Sequence, residues 1–223
     1  MAADTVPHAP PDATDPLRRL PVPVRRLLLL IPPLLFAGLE ILHPQPDENV
    51  QALADVSTWF AAFHAIQLVL TGLVALSVLL LADSYGRATA WATRLGLGTF
   101  LVFFSAYDAI AGIATGLAMR SARDLPPAQQ DGVFTVVKDW PAAGTPFALS
   151  IIGTLGWVIA VGALALAARR AETPALEWVL IGLSALFLLG GHPFPFGTLA
   201  FACFAGASFI HERRSGRSPR IGG

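Results

Sequence analysis

Long apolar blocks, almost free of charge, constrain this chain more than any other feature of its sequence. Six of them, at about 27–43, 58–82, 94–119, 144–168, 175–191 and 195–211, fill most of its 223 residues. The second, third and fourth are long enough to cross about 30 Å of hydrocarbon at roughly 1.5 Å per helical residue. Only 13% of the chain is charged and 54% is hydrophobic, whereas a soluble domain carries about 25% charged residues. Backbone polar groups in hydrocarbon must be satisfied within the segment, so the predicted fold is all-α, a polytopic bundle of six transmembrane helices. The first, fifth and sixth blocks are short. Pro32-Pro33 in the first removes two backbone donors and predicts a kink. Short spans require local thinning or loops that dip into the interface, which leaves open whether the fifth and sixth blocks cross fully or form a shallow hairpin.

Residues 1–24 are rich in proline (Pro7, Pro10, Pro11, Pro16, Pro21, Pro23) and have no apolar run. They read as a disordered cytoplasmic tail, too polar for a signal peptide. Residues 25–212 form the transmembrane domain, and 213–223 a basic cytoplasmic tail. No small-x-small cleavage site follows the first block, and Glu40 near its end is out of place in a signal sequence, so the block is expected to be retained. Of the 15 Lys and Arg residues, an N-in arrangement leaves only Arg120, Arg123 and Lys138 outside. Arg18, Arg19, Arg25, Arg26, Arg87, Arg94, Arg169, Arg170, Arg213, Arg214, Arg217 and Arg220 then lie inside. This asymmetry predicts a multi-pass protein of a bacterial-type cytoplasmic (inner) membrane with both termini cytoplasmic.

The outer loops are acidic, with Asp47, Glu48, Asp55, Asp124, Asp131 and Asp139. After Pro126-Pro127, Val133, Val136, Val137 and Trp140 recur at helical spacing and predict an amphipathic segment at the outer interface. The net charge of zero gives no sign of nucleic acid as a partner. Cys203 is the one cysteine, which rules out an internal disulfide. Rossmann, P-loop, zincin and Cys-x-x-Cys motifs are absent.

Against this background the polar residues inside the apolar blocks stand out. His43-Pro44-Gln45-Pro46 closes the first block and His192-Pro193-Phe194-Pro195 closes the fifth. Proline disfavours helix at the residue before it, so both histidines are expected at helix ends on the outer face. Glu40 lies one turn below His43 on the same face. His64 comes about 8 Å into the second span if Trp59 marks the interface, with Gln67 a turn deeper. Asp108 lies roughly 16 Å below Met119, near the bilayer centre. The inner half is expected to hold no ionisable residue within a span.

An Asp at a helix centre costs about 2.5–3.5 kcal/mol on insertion scales, so Asp108 must face the bundle and find a partner or a proton. Histidine titrates near neutrality and ligates metals. The negative ends of the first, third and fifth helices converge on the same face. Together these features suit a cation: a proton, a metal ion or a protonated amine. Metal candidates are His43, His64, His192, Asp108 and Glu40, for zinc or iron. Gln67, Asp108 and His64 would form the polar track. Haem held by a pair of these histidines is geometrically conceivable, but the spacing does not select it. Gly112-x-x-x-Gly116 and the row Gly153, Gly156, Ala160 read as close helix packing.

The segments Gly38–Pro44, Trp59–Leu68, Phe104–Gly116 and Gly191–Gly197 resemble an uncharacterised group of six-helix bacterial integral membrane proteins. That resemblance implies the fold over about 27–211 and supplies no activity. Three functions follow from the residues. The first is a binding or transport protein of the bilayer with an outward-facing cation site, Asp108 the deep anion, His64 above it, and His43 and His192 at the mouth. The second is a membrane-embedded metal-dependent enzyme on a lipid or other apolar substrate near the outer leaflet, with Asp108 or Glu40 as general base. The third is a structural or partner-binding protein whose polar groups lock helices together. Oligomeric state and substrate are not legible.

Overall fold

The computed structural model describes residues 20–44, 50–139 and 144–215. The tail through Arg19, the segment 45–49 with Pro46, Asp47 and Glu48, Trp140, and Arg217 and Arg220 lie outside the described residues.

Among the described residues every regular element is helical: α1 (Val22–Ile41), α2 (Val50–Ala82), α3 (Arg87–Asp108), α4 (Thr115–Ala122), α5 (Pro127–Val137), α6 (Gly144–Arg170), α7 (Ala175–Leu188) and α8 (Phe196–Ser215). A 3-10 turn, Asp83–Tyr85, follows α2, and a π-helical segment, Ala109–Ala114, joins α3 to α4 in one rod. Four stretches are long and apolar enough to cross a membrane: Val22–Ile41, Ala52–Tyr85, Ala88–Ala122 and Gly144–Arg170. The 14 residues of α7 reach only about 21 Å. The last turn of α8 is polar, from His211 to Arg214. The outward faces remain apolar, and Leu34, Leu35, Val69, Leu95, Val102 and Leu186 are all more than half exposed. Helices apolar on every side are those of a membrane span.

The helices close a ring. α1 packs on α2, α2 on α3 and α4, α3 on α6, α6 on α7, α7 on α8, and α8 back on α1. Aromatic rings fill the centre: Phe36 stacks on Phe201 at 4.0 Å between centroids, and Trp157 meets Phe100 at 5.1 Å and Phe201 at 5.5 Å. Trp157 Nε1 donates to the Ser184 carbonyl at 3.3 Å, so its one polar atom is paired inside the core.

The α3–α6 seam is set by glycine. A Cβ on Gly156 would lie 2.5 Å from Phe100 N, one on Gly153 2.7 Å from Phe104 N, and one on Gly96 2.6 Å from Ala160 N. Backbone therefore packs on backbone, as expected of the Gly153, Gly156, Ala160 row.

Pro32 and Pro33 are both buried, and α1 runs through them as one helix. Pro32 has no N–H for the carbonyl of Leu28, and Ser77 Oγ of α2 donates to that carbonyl instead. The neighbouring helix thus supplies what the proline withholds.

The helix expected after Pro126-Pro127 forms as α5 but presents a different face. Val137 is buried with Leu53, Ala54 and Met119, and Val133 and Phe134 pack beside it. Val136 is 60% exposed. α5 therefore seats on the ends of α2 and α4 with Phe134 in the role expected of Val136.

Gly156→Leu is expected to lower the melting temperature in detergent, since backbone atoms cannot yield and overpacking costs about 1–3 kcal/mol or more. Gly98→Leu, on the partner helix α3 but with open space around it, should leave the melting temperature within a degree or two.

Candidate functional site

The two His-Pro turns meet at one end of the ring. α1 stops at Ile41, with Leu42 N bonded to the Leu39 carbonyl at 2.8 Å and His43 N to the Glu40 carbonyl at 3.3 Å. His192 sits in the turn between α7 and α8, where Gly191 adopts φ 105° and the Phe194–Pro195 peptide is cis. The ring centroids of His43 and His192 are 5.0 Å apart, and His64 of α2 lies 5.3 Å from His43 and 6.2 Å from His192. One ligand atom from each of the three histidines falls within 4.8 Å of the others. Three histidines separated by up to 149 positions in sequence form one cluster.

The protonation of His64 follows from its partner. Its Nδ1 lies 2.7 Å from the Phe60 carbonyl, which can only accept, so Nδ1 carries the proton and Nε2 of the neutral ring presents a lone pair. That nitrogen is 3.9 Å from Asp108 Oδ1. Asp108 is 1% exposed, and neither of its oxygens has a hydrogen-bond partner.

Glu40 and Gln67 build the other wall. Gln67 Nε2 donates to Glu40 Oε1 at 3.0 Å and lies 3.2 Å from His192 Nδ1. Glu40 Oε2 is 3.5 Å from the same His192 nitrogen. Glu40 thus pairs with His192, the histidine of the other turn, rather than orienting its sequence neighbour His43. Both nitrogens of His43 are buried without a hydrogen-bond partner, as are Glu40 Oε2 and Gln67 Oε1.

Two glycines make room for this assembly. A Cβ on Gly112 would fall 2.1 Å from Cγ of the His64 ring, and one on Gly197 would fall 1.7 Å from the His192 carbonyl and 3.1 Å from Glu40 Cγ. A Cβ on Gly116 would lie 2.7 Å from Ala61 N, so this glycine packs closely on α2 as its motif implied. Gly112 belongs to the site instead. It lies within the π segment that begins directly after Asp108, a wide turn of the kind that recurs at functional sites. Thr115 Oγ1 donates to the Ile110 carbonyl at 3.4 Å, five residues back, matching the π register.

Two expectations from the sequence are corrected. The mouth expected at His43 and His192 is closed: His192 is only 8% exposed and His64 3%, because Phe104, Tyr107 and His43 pack around His192 and Phe60 and Phe63 pack around His64. His43, half-buried, is the outermost of the three. The opposite end of the ring is not free of ionisable groups either. Glu177 is fully buried and His211 3% exposed, with Glu177 Oε1 2.9 Å from His211 Nδ1. Tyr85 donates its hydroxyl to the same carboxylate oxygen. The pairing of a residue at the start of α7 with one at the end of α8 is a tertiary contact, but a Glu and a His inside apolar blocks were the signal that could have flagged it.

Compared with protein-family models, curated proteins and solved structures, the chain matches none. The chemistry of the cluster therefore rests on its own atoms.

Gly112→Ala is expected to destabilise the protein by about 1–3 kcal/mol through collision with the His64 ring. Because the two residues are in contact their effects should not add: adding His64→Ala to Gly112→Ala should raise the detergent melting temperature again, not lower it further. A double variant that melts lower than both single variants would show that Gly112 does not accommodate His64.

Proposed function

We propose that this chain is a multi-pass membrane protein whose histidine cluster binds a divalent transition-metal cation, zinc foremost, in a binding or transport role. The observation that carries the reading is the convergence of three imidazole ligand atoms within 4.8 Å of one another inside a buried site. A zinc ion with Zn–N bonds of about 2.0–2.1 Å spaces tetrahedral nitrogens roughly 3.3 Å apart, a contraction that side-chain rotation can supply. Zinc suits imidazole, and so do iron and copper.

Charge supports the same reading. Three neutral imidazoles add nothing to the charge of a dication, and Glu40 and Asp108, both buried, bring two negative charges when ionised. The loaded site is then neutral, which is the condition for holding ions in a low-dielectric interior. Glu40 beside His192 Nδ1 has the place of a carboxylate that orients a ligating histidine from behind. A helix-locking role explains less. Locking residues spend their polar atoms on each other, whereas here both nitrogens of His43 and both oxygens of Asp108 have no hydrogen bond.

In this reading all six apolar passes lie in the cytoplasmic membrane with both termini inside, the histidine cluster faces outward, and the resemblance to six-helix bacterial membrane proteins is real kinship. A second reading, metal-dependent catalysis on an apolar substrate, is favoured by one feature. Three histidines leave a fourth position open on a tetrahedral ion, as catalytic zinc sites do, and Asp108 stands beside it as a base.

Isothermal titration of the chelator-stripped protein with zinc is expected to give one ion per chain. His43→Ala, His64→Ala and His192→Ala should each weaken binding by tenfold or more, and Asp108→Asn by a smaller factor. Unchanged stoichiometric binding in the triple histidine variant, or none in the native protein, sinks the proposal.

A further inference from the structure

The cluster at the other end of the ring is a site in its own right. Glu177, in the first turn of α7, and His211, near the end of α8, meet with Oε1 and Nδ1 2.9 Å apart. The hydroxyl of Tyr85, on the turn after α2, bonds Glu177 Oε1 and lies 3.2 Å from His211 Nδ1. With Tyr85 spending its hydrogen on the carboxylate, Nδ1 must be the second donor, so neutral His211 keeps a lone pair on Nε2. One proton on that nitrogen changes the charge of a buried group by a full unit. Glu177 Oε2 has no hydrogen bond, and its nearest cation is Arg214 Nε at 3.8 Å, on a largely solvated side chain.

Several other charges at this end pair with one another. Glu212 holds Arg26 at 3.1 Å and Arg25 at 3.8 Å, tying α8 to α1, and Asp83 meets Arg94 at 3.6 Å. A purely structural account is available, since helix dipoles favour an acid at the start of α7 and a base at the end of α8. Arginine or lysine would serve that purpose at fixed charge. The imidazole adds what neither of them offers, a free ring nitrogen, Nε2, that can accept a proton.

The link to the histidine cluster is the α7–α8 pair itself. Glu177 and His211 sit at its open end, and His192 forms the turn at its closed end. Between them Ser184 on α7 and Ser208 on α8 are fully buried, and neither hydroxyl has a partner. Ser208 is one turn from His211. Unpaired buried hydroxyls are costly, a cost that is intelligible where they bind transient water along a path for protons.

We propose that the Tyr85–Glu177–His211 cluster is a proton-binding site of the opposite membrane face, and that the protein exchanges protons taken up there for the cation of the histidine cluster. This rests on the metal-binding reading above. The exchange balances as protons moving one way across the membrane against a dication moving the other.

The test uses the full chain in liposomes with an entrapped zinc-sensitive dye, with and without an imposed pH gradient, alongside zinc calorimetry in detergent. In the native protein an opposing proton gradient should speed zinc flux at least tenfold. Glu177→Gln and His211→Gln should keep native zinc affinity and lose that acceleration. His211→Gln retains a side-chain donor toward Glu177 while removing the titrating group, so it separates loss of the proton from loss of the fold. Zinc bound by the native protein but carried at the same rate with and without the gradient overturns exchange. Acceleration that survives in both variants overturns the assignment of the site. No zinc bound at all removes the metal reading and this proposal with it.

Discussion

A carboxyl group inside a ring of apolar helices is stable only if it is paired or carries its proton, and the structure is arranged around that demand. Asp108 and Glu40 are buried as deeply as the aromatic core, yet the protein supplies them with little. Glu40 receives one amide hydrogen bond and a neighbouring imidazole. Asp108 has only the edge of His64 at 3.9 Å. Such a site is under-satisfied by several hydrogen bonds, each worth about 1 kcal/mol or more when left unmade. The glycines, the π turn and the two His-Pro turns are the local means by which two helix ends and the interior of α2 bring imidazoles to those carboxylates.

The rest of the fold can tolerate this because it is satisfied almost everywhere else. The tryptophan of the core has its carbonyl, Thr71 returns its hydroxyl to the Gln67 carbonyl one turn back, and a serine repairs the gap left by a proline in α1. The unpaired polar atoms concentrate at the two ends of the α7–α8 pair and on the two serines between. Contrast gives the pattern its meaning: a chain that pairs its incidental polar groups leaves unpaired chiefly those with another task.

Much of this was legible in the sequence. The apolar blocks anticipated the helices, and residues spaced far apart along the chain, His43, His64, Asp108 and His192, were brought to one region by helical rise and alternating direction alone. What escaped is what depends on side-chain contact between helices. Spacing i and i+3 puts Glu40 on one helix face with His43, whereas in the structure its carboxylate meets His192 and Gln67 of other helices. Gly112 was read with Gly116 as one packing motif, but the π segment offsets it toward His64. Glu177 and His211 fell within recognised blocks near their inner ends, where a charged group is ordinarily solvated, and only the packing of α7 on α8 buries them. On α5, Phe134 replaced Val136 because an interfacial helix takes its inward face from the helices beneath it.

The glycine contacts also divide the ring. Gly96, Gly112, Gly116, Gly153 and Gly156 make their closest approaches within the group formed by α2, α3, α4 and α6, while Gly190, Gly197 and Gly206 make theirs within α1, α7 and α8 and the turn between them. No such approach crosses from one group to the other. Each group is therefore keyed to itself at its glycines, while side chains such as Gln67, Ser77, Trp157 and Tyr85 reach across the joint. His64, Gln67 and Asp108 belong to the first group; Glu40, His43 and His192 belong to the second. An ion gripped by imidazoles from both would be a rivet across the joint between two stiff bodies, and its arrival or departure would set whether they are pinned or free to slide.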